Sequence, residues 1–117
     1  MKRIMASALA GFAAALGLVA TTPTMASAAV TCRAEQYIRI VGGEAHVREC
    51  FSNGTQVRVN GWVKDTLGDG KCAQVYATYN NYSGRDYSPR ACPEGNRDDF
   101  TMPWRAGTDA FIYLRVV

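Results

Sequence analysis

From Gln56 to Lys64 apolar and polar positions alternate. Val57, Val59, Gly61 and Val63 fall on one side, and Arg58, Asn60, Trp62 and Lys64 on the other. Period two with β-branched residues on one side predicts a strand with one buried face. Trp62 is the exception on the polar side, where it caps a second cluster or lies exposed. Cys72–Tyr79 repeats the pattern, with Ala73, Val75, Ala77 and Tyr79 set against Cys72, Gln74, Tyr76 and Thr78. Ala45–Phe51 does so more weakly, with Ala45, Val47 and Glu49 on one face.

Further strands are predicted at 37–41 and, briefly, at 100–102, where Pro103 ends the run or places it at an edge. Asp109–Val117 (DAFIYLRVV) is apolar almost throughout, which predicts a central strand covered on both faces. Turn signals separate these runs. They are Gly42-Gly43, Asn53-Gly54, the Asp65–Lys71 loop (DTLGDGK), the polar stretch Asn80–Arg90, Pro93–Asn96 and the loop 104–108. No eleven-residue window carries the helical period. About seven short strands with turns roughly every ten residues predict an all-β fold, a small antiparallel β-sandwich or barrel.

The N-terminus is of a different kind. Lys2-Arg3 precedes an almost uncharged Ala/Leu/Gly run from Met5 to Ala20, and Ala26-Ser27-Ala28 supplies small residues for cleavage. This is the layout of a secretory signal peptide over 1–28, leaving one secreted domain over 29–117 with no stable membrane insertion. The four cysteines (Cys32, Cys50, Cys72, Cys92) all lie in that domain. An even count in a short exported chain predicts two disulfides. The favoured pairing is Cys32–Cys50 with Cys72–Cys92, each tying neighbouring strands across a loop of about 20 residues. Their spacing has no Cys-x-x-Cys, and a single histidine accompanies them, so a zinc site is not expected.

Charge narrows the function. Without Lys2 and Arg3, the 13 basic residues of the chain fall to 11, against 10 acidic ones, and none of the 11 adjoins another. No basic stripe for nucleic acid is present. No catalytic constellation is apparent either. The lone His46 sits beside Arg48 with no nucleophile motif around it, so an enzyme is not expected. No cofactor is implied. Asp65 and Asp69 flank a loop that could offer oxygens to Ca²⁺, but they fall short of a full calcium loop. Fixing the turn through their own backbone is the preferred role.

Two stretches suit binding instead. Tyr79–Ser88 (YNNYSGRDYS) has the Tyr, Ser, Gly and Asn composition of a protein-binding paratope. Trp104-Arg105 offers the residue types that dominate interface hot spots. The expected contacts are Tyr82, Arg85, Tyr87, Trp104 and Arg105. The partner is another secreted protein. The alternative is a glycan stacked on the tyrosines, with the chain acting as a carbohydrate-binding module.

The strand, Asp-Gly loop and Cys-Ala strand of Val59–Val75, together with Ala91-Cys92-Pro93 and Tyr113-Leu114-Arg115, resemble the small exported β-proteins of Streptomyces and related actinomycetes. The size and two-disulfide style are also similar to the tendamistat-type α-amylase inhibitors, which present a Trp-Arg-Tyr turn. Here Ala106 follows Trp104-Arg105, and the pair falls late in the chain. In size, export and β-character the chain resembles the adaptor subunit of the Streptomyces umbrella toxin particles. These resemblances imply a non-catalytic inhibitor of a secreted enzyme, or an adaptor subunit of a secreted toxin-like complex.

Overall fold

The computed structural model describes residues 29–117, so the predicted leader at 1–28 lies outside the described residues. Nine strands run through them: β1 (Val30–Cys32), β2 (Gln36–Ile40), β3 (Gly43–Ser52), β4 (Gln56–Asp65), β5 (Ala73–Tyr79), β6 (Asp86–Tyr87), β7 (Arg97–Thr101), β8 (Arg105–Ala106) and β9 (Ala110–Val116). All pairings are antiparallel, and there are two sheets.

The larger sheet is built on the β3–β4 hairpin, whose ladder runs from Gly43↔Asp65 to Ser52↔Gln56. Its turn is chemically determined. Asn53 and Gly54 both adopt left-handed φ, 55° and 66°, and the Thr55 N–H closes on the Ser52 carbonyl at 3.2 Å. Each flank of this hairpin is covered by two short pieces rather than one long strand. β1 and β2 share the free side of β3, and β7 and β8 share that of β4. The smaller sheet has the order β9–β5–β6.

The alternation read from the sequence places the core between the sheets. Val47, Val57, Val59 and Val63 from the large sheet meet Ala73, Val75, Ala77 and Tyr79 from the small one, and the valines are fully buried. Burying each such side chain contributes about 1.5–3 kcal/mol. Two separate facing sheets make the fold a sandwich, which resolves the sandwich-or-barrel alternative.

Both disulfides pair as the sequence suggests. Cys32 and Cys50 stand directly opposite each other on β1 and β3, with Cα atoms 4.0 Å apart. Cys72–Cys92 fastens the start of β5 to the segment after β6, beside the isolated Ala73↔Ala91 bridge. No helix among the described residues is long and apolar enough to cross a membrane.

One expectation is overturned. The C-terminal run is the edge of the small sheet, not a central strand, because β9 pairs only with β5. Phe111 and Tyr113 point outward and are 46% and 45% exposed. Aromatic residues on the outer face made a one-sided strand look apolar on both. Two stretches read as loops also contain pairing segments, β6 inside 80–90 and β8 inside 104–108.

Candidate binding face

The small sheet carries a cross-strand row of tyrosines on its outer face. Val75 and Ala77 point into the core, so Tyr76 between them points out. Register then sets Tyr113 of β9 opposite Tyr76 on one side and Tyr87 of β6 opposite it on the other. The Tyr76 and Tyr113 rings stack with centroids 4.9 Å apart, and Tyr87 tilts against Tyr76 at 6.0 Å. The Arg85 guanidinium lies 5.1 Å from the Tyr76 ring centre, and that of Arg115 lies 5.3 Å from Tyr76 and 5.2 Å from Tyr87.

Arg115 is held in place. Its Nε and Nη2 donate to Gln74 Oε1 at 3.1 and 2.8 Å, and Gln74 Nε2 donates to the Ser88 carbonyl at 3.0 Å. Among the described residues, neither Arg85 nor Arg115 meets a carboxylate. The face therefore combines rigid aromatic area with two cations not neutralised by an acid.

The five residues singled out from the sequence are not one patch. Arg85 and Tyr87 belong to the tyrosine row. Tyr82 and Arg105 belong to a knot between the sheets. There Asp86, buried on β6, accepts from Arg105 Nε and Nη2 at 2.9 and 2.7 Å and from the Tyr79 hydroxyl at 2.7 Å. Arg105 also lies over the Tyr82 ring at 4.4 Å, and Tyr82 meets Tyr79 edge-on. The hydrogen bonds from Arg105 hold the Asp86 carboxyl below its ordinary range, and burial, reinforced by Asp86, pushes the Tyr79 hydroxyl up. Trp104 stands apart, half-buried, with the Arg58 guanidinium 4.4 Å from its ring centre.

Tyr76, Tyr113 and Arg115 were missed as candidates. They stand on strands far apart in the chain, and only the β5–β9 register brings them together. Period two already assigned Tyr76 to the outer side of its strand, which was the one available signal.

A second row crosses the outer face of the large sheet. Tyr37, His46 and Trp62 stand opposite one another on β2, β3 and β4, and Arg97 lies 4.6 Å from the Trp62 ring centre. His46 and Trp62 stack at 4.5 Å, so Trp62 does cap a second cluster. The charges here satisfy one another. His46 Nδ1 meets Glu35 Oε1 at 3.1 Å, Tyr37 donates to Glu44 at 2.8 Å, and Arg39–Glu44 and Arg97–Asp99 pair at 3.5 and 3.4 Å. The hydrogen bond from Tyr37 holds the Glu44 carboxyl low. Such a row stiffens the sheet, with Arg39 and Arg97 already engaged, while Arg48 on the same face meets Asn60 and not a carboxylate.

Asp65 and Asp69 each take a backbone partner two residues on. Their Oδ1 atoms accept from the Leu67 and Lys71 N–H groups at 3.1 and 3.0 Å, the turn-fixing arrangement. Comparison with protein-family models, with curated proteins and with solved structures finds no match to this chain.

Proposed function

We propose that the chain is a secreted, non-catalytic module that binds another protein through the Tyr87–Tyr76–Tyr113 row and its flanking Arg85 and Arg115. The observation that carries this reading is the set of stacked tyrosines with two arginines lacking an acidic partner. Tyrosine gives large contact area for few lost rotamers. Here the rings are already ordered by stacking, which lowers the cost of association. The unmatched arginines call for a partner surface bearing carboxylates. Stacking supports a protein over a glycan at the middle ring, Tyr76, which is flanked by Tyr113 and two guanidiniums.

In this reading Arg105, lying over Tyr82, positions the face by holding Asp86, the neighbour of Tyr87 on β6. The bound partner is either a secreted enzyme that the module inhibits or the assembly in which it is an adaptor. Size fractionation of native culture supernatant, followed by antibody and mass spectrometry, separates these. A small complex with a silenced hydrolase marks the inhibitor, and a large particle marks the adaptor. Replacing Tyr76 and Arg85 together by Ala weakens the complex at least ~30-fold, as expected for hot-spot residues. Undiminished affinity in that folded double variant, or glycan-array binding that it abolishes, would refute the proposal.

A further inference from the structure

The described part of this sandwich has one long, regular, apolar strand edge, that of β9. The edges of the large sheet are each broken into two short pieces, and their outer strands carry charge: Arg39 on β2, and Arg97, Asp98 and Asp99 on β7. β9 reads AFIYLRV, with no proline, no lysine and Arg115 as its one charge. Such an edge is a template for pairing unless something blunts it.

Its free peptide groups can be assigned. Val117 and Cys72 exchange both backbone hydrogen bonds, each at 2.8 Å. Hydrogen-bonded pairs alternate along an antiparallel ladder, so Arg115, Tyr113 and Phe111 also bond toward β5. Ala110, Ile112, Leu114 and Val116 then face away from it. The Ala110 N–H is taken by Glu49 Oε1 at 3.2 Å, on the side this parity requires. Ile112 and Leu114 remain, with N–H and C=O groups that have no backbone partner among the described residues.

We infer that the occupant of this edge is a second copy of the chain, paired antiparallel through β9 about a twofold axis at Tyr113. Tyr113 is the middle residue of the strand, so this register gives the longest overlap. The strand is complementary to itself there. Ile112 meets Leu114 of the second copy, and the reverse, each pair exchanging both N–H···O=C bonds. Their half-buried side chains extend the core across the axis. On the outer face Phe111 stands opposite Arg115 of the second copy, whose guanidinium stays turned back over Tyr76 and Tyr87, so no two like charges are opposed. Tyr113 faces its own copy, and the two tyrosine rows join into one. The dimer goes beyond the partner-binding reading and does not depend on it.

The test is sedimentation equilibrium of purified protein over a wide concentration range. The wild type gives a mass approaching twice that of the protomer as concentration rises. Tyr113→Lys, which sets two cations face to face, gives the protomer mass with an unchanged circular-dichroism spectrum. A second readout does not depend on that variant folding. Both disulfides are formed and no free cysteine is described, so one new cysteine reports alone. Tyr113→Cys cross-links to its own copy under mild oxidation. Phe111→Cys, which faces Arg115, does so far less. A wild type that stays monomeric throughout, a dimeric Tyr113→Lys, or equal cross-linking of the two cysteine variants would each overturn the proposal.

Discussion

Gly61→Ala is the sharpest single test of how the large sheet is built. Gly61 pairs with Val47 in the middle of the β3–β4 ladder, and its φ is +153°. A Cβ at that φ points along the sheet into β3 instead of down into the core. It would lie 1.9 Å from the His46 carbonyl oxygen and 2.9 Å from the Val47 Cα. These are backbone atoms, so no side-chain rotation relieves the clash. Either residue 61 changes φ or β3 and β4 separate locally. A non-glycine residue at such a φ costs about 1–3 kcal/mol. Loosening one or two ladder bonds adds about 1 kcal/mol each. The expected loss is therefore about 2–5 kcal/mol. An 89-residue domain has a total stability of roughly 4–13 kcal/mol. Each kcal/mol shifts the melting temperature by about 4–8 °C at this size. Thermal unfolding of residues 29–117, followed by far-ultraviolet circular dichroism at neutral pH, should show a fall of at least ~8 °C. A fall under ~4 °C with an unchanged spectrum would mean that β3 and β4 do not approach as described.

The Asp86 knot gives the domain a pH signature. The carboxyl pKa is lowered in the fold, so its stabilising contribution is complete above the ordinary carboxylate range and fades as pH drops below about 4. Asp86→Asn should melt earlier at neutral pH and show a shallower acid limb, which differential scanning fluorimetry across pH 2–7 would reveal. The raised Tyr79 hydroxyl works at the other end, its contribution fading as pH rises above about 10, and Tyr79→Phe should flatten that alkaline limb. Replacing Cys32 and Cys50 together by Ala should cost on the order of 3 kcal/mol. Urea denaturation would show this as a lower midpoint with β1 detached, and an unmoved midpoint would contradict the staple's role.

Much of this architecture is readable in the chain because its core positions are. Val57, Val59 and Val63 alternate with polar residues, and they are the buried side of β4. The disulfide partners were legible for a related reason, since each joins segments that neighbouring-strand topology brings side by side. The failure at β9 has the same origin as the missed binding candidates. Phe111 and Tyr113 face outward yet are apolar by composition, so periodicity could not tell an aromatic outer face from a second buried one. Two-residue strands such as Asp86–Tyr87 and Arg105–Ala106 exist because Tyr76, Ala77, Gln56 and Val57 are there to pair with. Their own residues carry no local signal. Tyr82, Arg85 and Tyr87 drew attention by crowding in sequence, whereas Tyr76 and Tyr113 become neighbours only through register.

The placement of the two cystines has a consequence for how this protein responds to a protease. Cys32–Cys50 lies wholly before the exposed Thr66–Lys71 loop, and Cys72–Cys92 lies wholly after it. No covalent cross-link spans that loop. A protease that cuts once beside Lys71 leaves two halves, each with its own cystine. They are then held together by noncovalent contacts alone, among them the shared core, the pairing of β7 and β8 with β4, the grip of Glu49 on Ala110 and the Arg33–Asp109 ion pair. The nicked molecule keeps its shape while folded, and on its first unfolding it separates for good, with both disulfides still intact.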